Sequence, residues 1–177
     1  MAEKKLGGAG LRGQSAGETS LCTVGKEGAG LTYRGYTIEE LAQKAGFEEV
    51  AYMLLYGGLP TSEQLETYKQ RLINMRALPD GLKAALKLIP KEVHPMDVMR
   101  SGCSILGNLE PEKSFDDQHD AGDRLLATLP AIISYWYRYS HHGEEVSTDT
   151  GEETTAGHFL KMLLGEDPSE MHRSVMD

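Results

Sequence analysis

The stretch of residues 123–142, DRLLATLPAIISYWYRYSHH, constrains the fold of this chain more than any other part. It is the longest nearly uncharged run, and it holds the only tryptophan of the sequence. Pro130 lies inside it and should remove one backbone hydrogen bond and bend a helix. The run is too short and too rich in tyrosine for a membrane span. We therefore predict a buried, kinked helix at the centre of a core or of a subunit interface. Its large apolar residues recur at steps of three and four, as on one broad helix face: Leu125, Leu126, Leu129, Ile132, Ile133, Trp136 and Tyr137.

Composition limits the class of protein. With 177 residues, 40% hydrophobic and 25% charged, the chain resembles an ordinary globular domain. Its net charge of −9 argues against nucleic acid and anionic membranes as partners. Cys22 and Cys103 are far apart and are expected as free thiols in a reducing compartment. Residues 1–17 contain no apolar signal core and predict a flexible arm. We expect a cytoplasmic protein.

Turn and capping residues predict a mainly α fold. Residues 20–24 and 31–33 flank a glycine-rich turn at 25–30, which predicts a small β-hairpin. Thr37 with Glu40 and Thr61 with Gln64 form capping boxes that start two helices. In the helix over 47–57 we expect one inward face, and in the helix over 95–107 we expect Gly102, Cys103 and Ser104 to admit a close neighbour. Further helices are predicted over 81–89, 154–165 and 169–177. The inward face over 47–57 is expected to carry Phe47, Val50, Leu54 and Leu55.

Histidines and carboxylates offer two possible sites, each with a simpler explanation. His141, His142 and His158 could hold a metal, but no ligand spacing such as HExxH is present. Histidines at the end of the long helix would instead favour its dipole. The same dipole explains an acidic run in the first turns of that helix. That run consists of Asp116, Asp117, Asp120 and Asp123.

Four arginines could bind a carboxylate through paired N–H donors. Each of them could equally bond the carbonyl groups at a helix end. From the residues alone, these alternatives stay open. The four are Arg34, Arg76, Arg100 and Arg124.

Read together, the motifs resemble the amino-terminal half of the citrate synthase family. The segments are LCTVGKEGAGLTYRGYTIEELA at 21–42, FEEVAYMLLYGGLPT at 47–61 and HPMDVMRSG at 94–102. YWYRYSHHGE at 135–144 and AGHFLKMLLGE at 156–166 are similar to its bacterial 2-methylcitrate synthase branch. The resemblance covers essentially everything after residue 17.

The resemblance implies a helical enzyme in which a large and a small domain close over the substrates. It implies condensation of an acyl-CoA with oxaloacetate and hydrolysis of the thioester, with propionyl-CoA as donor in the methylcitrate branch. The resemblance implies no metal or redox cofactor, and it implies that the coenzyme A thioester is a substrate. A homodimer is implied, with helices near 95–107 and 116–141 at its interface.

The resemblance also implies which residues carry the chemistry. The reaction needs a carboxylate base, a histidine that faces the enolate, and further histidine and arginine residues. In the family, these residues lie in motifs such as an H-G-G-A-N loop. None of these motifs occurs in the sequence up to Asp177. We therefore expect no catalytic residue in this chain and expect the catalytic residues of the family beyond Asp177. Arg76, in M-R-A-L-P, matches an arginine that approaches the substrate; the alternative is a structural arginine.

The resemblance also implies a domain organisation. Residues 18–177 should form the N-terminal portion of the large helical domain, without the small domain and catalytic region. Such a chain is expected to be a truncated and inactive form of its parent enzyme. Two other hypotheses remain: a citrate synthase that uses acetyl-CoA, and a helical dimerisation or interaction module without catalysis.

Overall fold

The computed structural model describes residues 17–23 and 30–177, and this part of the chain is mainly helical. The mainly α prediction is therefore confirmed. A short 3₁₀ turn precedes the longest helix and a π-helical turn follows it, at Phe115–Asp117 and Arg138–His142. The helices are α1 (Ile38–Lys44), α2 (Phe47–Tyr56), α3 (Ser62–Asn74), α4 (Asp80–Lys87), α5 (Pro95–Leu109), α6 (Gln118–Tyr137), α7 (Thr155–Leu164) and α8 (Glu170–Met176).

A small antiparallel sheet precedes the helices. Its strands β1 (Cys22–Thr23), β2 (Thr32–Tyr33) and β3 (Tyr36–Thr37) lie in that order. The predicted hairpin is confirmed by the pairing of β1 with β2. The third strand is an addition to the prediction. It follows a two-residue turn in which Arg34 and Gly35 both have positive φ, at 50° and 92°. This is the backbone that a tight hairpin turn requires.

Two sequence predictions fall on residues outside the described part. The flexible arm covers residues 1–17, of which the structure describes Gly17 alone. The glycine-rich turn covers 25–30, of which it describes Gly30, with a φ of 62°.

The helix boundaries follow the local signals in the sequence. Both predicted capping boxes are present, at the starts of α1 and α3. Gly57 adopts the left-handed conformation that ends α2. Pro95 occupies the first turn of α5, as a proline without an N–H group can. The end of α5 falls at Leu109, slightly beyond the predicted end at residue 107.

Helix α6 is central to the fold, as the sequence predicts. It packs against α5 and α7 and also contacts α3 and α4. The chain continues helically through Pro130. Trp136 is 2% exposed, and its indole N–H donates to the carbonyl of Ile89 at 3.1 Å. The main buried cluster comprises Leu78, Leu82, Leu86, Val98, Leu106, Ala131, Ile132, Tyr135, Trp136 and Met162.

The inward faces of α6 and α2 differ in part from the predicted ones. On α6, Leu125 is 37% exposed, whereas the predicted Ile132 and Trp136 are buried together with several small residues. On α2, Phe47 is 38% exposed, whereas Met53 and Glu48 are buried. The predicted face of α2 is therefore wrong at Phe47, whereas Val50, Leu54 and Leu55 are half-buried. The carboxylate of Glu48 turns inward instead and bonds the first residue of α7, Thr155.

Gly102 permits the close packing of α5 on α6, which confirms the expected close neighbour at this residue, whereas Ser104 is exposed. A Cβ atom placed on Gly102 would lie 2.6 Å from Cγ2 of Ile132. Real Cβ contacts are longer, so the two helices could not keep their separation with a larger residue at this position. Gly107, further along the same helix, would meet no atom within 4 Å.

These two glycines provide a matched pair of substitutions. Gly102→Ala should lower the free energy of unfolding by about 1–3 kcal/mol, because the added methyl group overpacks a filled interface. Gly107→Ala should be neutral or raise it by up to about 1 kcal/mol, since alanine favours a helix. Urea unfolding followed by circular dichroism measures both. Equal effects of the two substitutions would contradict the proposed helix contact.

Candidate functional site

Arg76, the predicted substrate ligand, lies just after the end of α3 and is 4% exposed. Its backbone N–H donates to the carbonyl of Ile73 at 3.2 Å, which continues the last turn of the helix. Its guanidinium Nη1 donates to the backbone carbonyl of Glu152. These contacts join the end of α3 to the loop that precedes α7. Such contacts are those expected of a structural arginine at a helix end, which is the alternative interpretation of Arg76. That Arg76 approaches a substrate stays a prediction.

A cavity of about 250 Å³ adjoins Arg76. One wall comes from the end of α3 and the other from the polar loop before α7. Backbone turns of this loop include Gly151, with a φ of 69°. The lining residues are Ile73, Asn74, Arg76, Ala77, Thr148, Asp149, Thr150 and Gly151.

Two glutamates compensate the buried charge of Arg76. Glu48 is 3% exposed, and its Oε1 accepts the backbone N–H of Thr155 at 2.6 Å. The carboxylate of Glu152 accepts two N–H groups of Arg173 at 2.9 and 2.7 Å. Burial lowers the pKa of Arg76, while the charges of Glu48 and Glu152 raise it. Within the described residues, no carboxylate lies within 4 Å of its guanidinium.

His158 is the third buried group of this region. It is fully buried on α7, and its Nδ1 lies 2.9 Å from the hydroxyl of Thr150. Its Nε2 has no partner among the described residues. Burial lowers the pKa of His158 to about 4, with a further decrease from Arg76 and an opposing effect of Glu152. The imidazole is therefore neutral at physiological pH.

Asp177, beyond which the catalytic residues are expected, lies against the start of α2. Its Oδ1 accepts the backbone N–H of Phe47 at 3.4 Å, and its own backbone N–H donates to the carbonyl of Arg173 at 3.0 Å. A carboxylate at the first turn of a helix favours the helix dipole. These contacts place Asp177 between the end of α8 and the start of α2. The expectation about residues beyond Asp177 stays a prediction.

The metal hypothesis is not supported. In the part of the chain that the structure describes, no three His, Cys, Asp or Glu side chains are placed to hold an ion. His141 and His142 are exposed on the π-helical turn, where both rings contact Tyr137. His158 belongs to the buried network instead.

The other three candidate arginines also make structural contacts. Arg34 donates to the carbonyl of Leu54 at 3.1 Å, near the end of α2. Arg124 donates to the carbonyl of Met75 at the end of α3 and forms a paired contact with Glu110, with both distances 2.8 Å. Arg100 is exposed and lies 3.0 Å from Asp97 on the same helix.

Asp123 is the most consequential residue that sequence reasoning places wrongly. The sequence predicts that it favours the helix dipole, but its side chain is 0% exposed. It accepts hydrogen bonds from Tyr56 at 2.5 Å, Tyr68 at 3.0 Å and Nε of Arg71 at 2.8 Å. Burial and the contact with Asp123 raise the pKa of Tyr56 to about 12 and also raise that of Tyr68. One signal was available: an inward tyrosine such as Tyr68 needs a buried acceptor.

The comparisons with known proteins agree with this fold. Residues 10–177 match the family model described as "Citrate synthase, C-terminal domain". The chain therefore belongs to the citrate synthase family. The crystal structure of citrate synthase from Thermotoga maritima MSB8 is similar, with a TM-score of 0.80 and 34% identity over 93% of this chain and 43% of that chain. A citrate synthase from Thermoplasma acidophilum, in a ternary complex with carboxymethyl coenzyme A and oxaloacetate, has a TM-score of 0.83, 23% identity and covers 93% of this chain and 44% of that one.

Two curated relatives of the chain are named for different activities and differ in their degree of identity to it. The 2-methylcitrate synthase of Shewanella oneidensis is 59% identical over 98% of this chain and 46% of its own length. The citrate synthase of Haloferax volcanii is 32% identical over 95% of this chain and 46% of its own length. The chain thus spans less than half the length of the curated relatives that it matches. Among the described helices, none is long and apolar enough to cross a membrane.

The burial of His158 allows us to predict how the free energy of unfolding depends on pH. Its pKa is about 4 in the fold, against an ordinary value of 6.5, so the unfolded chain binds the proton more tightly. The contribution of neutral His158 is fully present above pH 6.5 and is lost as the pH falls through 4. The linked loss is about 3 kcal/mol in the free energy of unfolding.

Urea unfolding between pH 7 and pH 4 measures this effect. The difference in stability between wild type and His158→Gln should shrink as the pH falls, because glutamine does not titrate. His172→Gln, which alters an exposed histidine, serves as the control and should keep the pH dependence of the wild type. A His158→Gln variant with the full wild-type slope would show that other groups produce it.

Proposed function

We propose that this chain is part of a 2-methylcitrate synthase, which condenses propionyl-CoA with oxaloacetate and hydrolyses the thioester. The observation that carries the proposal is 59% identity with the Shewanella oneidensis 2-methylcitrate synthase across 98% of this chain. Identity with the Haloferax volcanii citrate synthase, at 32%, is much lower. We place the enzyme in the cytoplasm, in the pathway that degrades propionate.

Within that enzyme, we assign these residues to the scaffold. Residues 18–177 would form the N-terminal portion of the large helical domain. The buried polar groups support this assignment, because Arg76, Glu48 and Asp123 all bond to protein groups on neighbouring elements. The base and the histidines that the reaction needs would come from motifs that these 177 residues do not contain.

The choice of acyl donor is directly testable. The complete protein that contains these residues should release free thiol from propionyl-CoA and oxaloacetate, with a higher kcat/KM than for acetyl-CoA. Release is followed with a thiol-reactive dye, and omission of oxaloacetate is the control. The 177-residue chain alone should show no turnover above that control.

Three other outcomes of this assay would contradict the proposal. A preference for acetyl-CoA would make the parent enzyme a citrate synthase. Turnover by the 177-residue chain alone would contradict the assignment of its residues to the scaffold. Absence of thiol release from either donor by the complete protein would favour the interaction module.

We also propose that the chain self-associates through α5 and α6. Apolar side chains from both helices remain partly exposed on one side, among them Met99, Leu125, Leu129 and Ile133. They line two shallow cavities of about 420 and 360 Å³. Partly exposed apolar side chains that line open cavities are typical of a protein interface. The occupant we propose is the same face of a second copy.

Leu125→Glu tests this interface. A carboxylate at the contact would have to be buried without a partner, so the dimer dissociation constant should rise at least about tenfold. Analytical ultracentrifugation measures the change. Leu88→Glu is the control, because Leu88 is 83% exposed and lies at the end of α4. Dimers of unchanged affinity in a folded Leu125→Glu variant would place the interface elsewhere.

A further inference from the structure

An open groove of about 440 Å³ lies between α2, α3 and the start of α6, apart from the α5 and α6 face. Its walls are partly aromatic, and we call it the tyrosine groove, after Tyr52, Tyr56, Tyr68 and the adjoining His119. The ring centroid of Tyr52 lies 4.8 Å from that of Tyr56 and 5.3 Å from that of Tyr68. His119 stacks on Tyr56 at 5.0 Å, with 19° between the ring planes.

The rings of the tyrosine groove are held in place from behind. Both Tyr56 and Tyr68 donate their hydroxyl groups to the buried carboxylate of Asp123. The two rings meet edge to face, at 5.9 Å and 80°. Because the hydroxyl groups are engaged in the interior and Tyr68 is only 3% exposed, the ring carbons that a ligand can reach are mainly those of Tyr56, which is 40% exposed, and of the half-buried Tyr52. The groove is therefore a preformed aromatic surface that does not depend on a ligand for its order.

Charge around the tyrosine groove is negative. Of the lining residues in the described part of the chain, Arg71 is the only lysine or arginine. It is already engaged, with Nε 2.8 Å from Asp123 and Nη2 2.6 Å from Asp120. Glu63 lies on the rim and forms no ion pair with the described residues. One positive charge is thus set against two lining carboxylates, Glu63 and Asp120, and the buried carboxylate of Asp123 behind them, which favours a cation and disfavours an anion.

We propose that the tyrosine groove binds a small organic cation, an ammonium group that carries apolar substituents. The faces of aromatic rings attract such a cation through their negative quadrupole. Alkyl substituents match the ring carbons, and the surplus carboxylate charge adds a longer-range attraction. A neutral molecule of the same shape would make the same apolar contacts but would gain neither electrostatic effect.

Choline and its neutral isostere 3,3-dimethylbutan-1-ol separate these contributions. Choline titrated with the complete protein that contains these residues should show binding by proton NMR, with its N-methyl signals shifted upfield by the ring currents. The isostere should bind at least about fivefold more weakly, because it lacks the cation–π attraction. Equal affinity for the two probes, or no binding of choline, would overturn the proposal.

Two substitutions locate the site. Tyr52→Leu removes one ring while the three donors to Asp123 remain in place, and Glu63→Gln removes one rim charge. Each should weaken choline binding about threefold or more. Glu66→Gln is the matched control, since Glu66 is exposed on the same helix as Glu63 and does not line the groove. Far-ultraviolet circular dichroism verifies that the variants are folded.

The variants give a clear decision. Choline binding that is weakened by Tyr52→Leu or Glu63→Gln, and unaffected by Glu66→Gln, supports the site. Choline binding that neither groove substitution alters would place the cation elsewhere on this acidic chain and overturn the assignment.

Discussion

The buried carboxylate of Asp123 is the interaction on which the arrangement of the helices most depends. A charge removed from water costs several kcal/mol or more unless it is paired and fully hydrogen-bonded. Here one donor comes from α2 and two come from α3, through Tyr56, Tyr68 and Arg71. The central helix α6 therefore accepts its neighbours in one register, because any slip of α3 would separate the carboxylate from two donors at once.

A second polar network fixes the same two helices at another place. Glu48 of α2 accepts the first backbone N–H of α7, and Arg76 after α3 donates to the carbonyl of Glu152. Arg173 of α8 then closes on the carboxylate of Glu152. The polar loop between α6 and α7 is thus held by several elements, although it contains few apolar residues. Helices α2 and α3 are bound to α6 through one carboxylate and to α7 and its preceding loop through a second network.

These networks also explain what could be predicted from the sequence. Capping boxes such as Thr37 with Glu40, and stops such as Gly57, act within four residues, so the sequence alone reveals them. The central helix can be predicted in the same way, because its apolar residues recur at steps of three and four along the chain. Glu48 and Asp123 are different, because a carboxylate in the first turns of a helix is usually solvated. Their burial depends on donors that are distant in sequence, on α7 and on α2 and α3. No periodicity of the chain encodes such a pairing.

The distinction between satisfied and unsatisfied groups also separates scaffold from candidate function. Arg76 is the kind of residue that could bind a substrate carboxylate, yet its hydrogen bond goes to the backbone of Glu152 and its charge is offset by the buried Glu48 and the half-buried Glu152. Burial and chemistry alone would have marked it as a site. The tyrosine groove has a different character. The hydroxyl groups of Tyr56 and Tyr68 are engaged inside, while ring carbons of Tyr52 and Tyr56 stay partly exposed and the carboxylate of Glu63 forms no ion pair with the described residues. A ligand can gain free energy only from groups that the fold has left without partners.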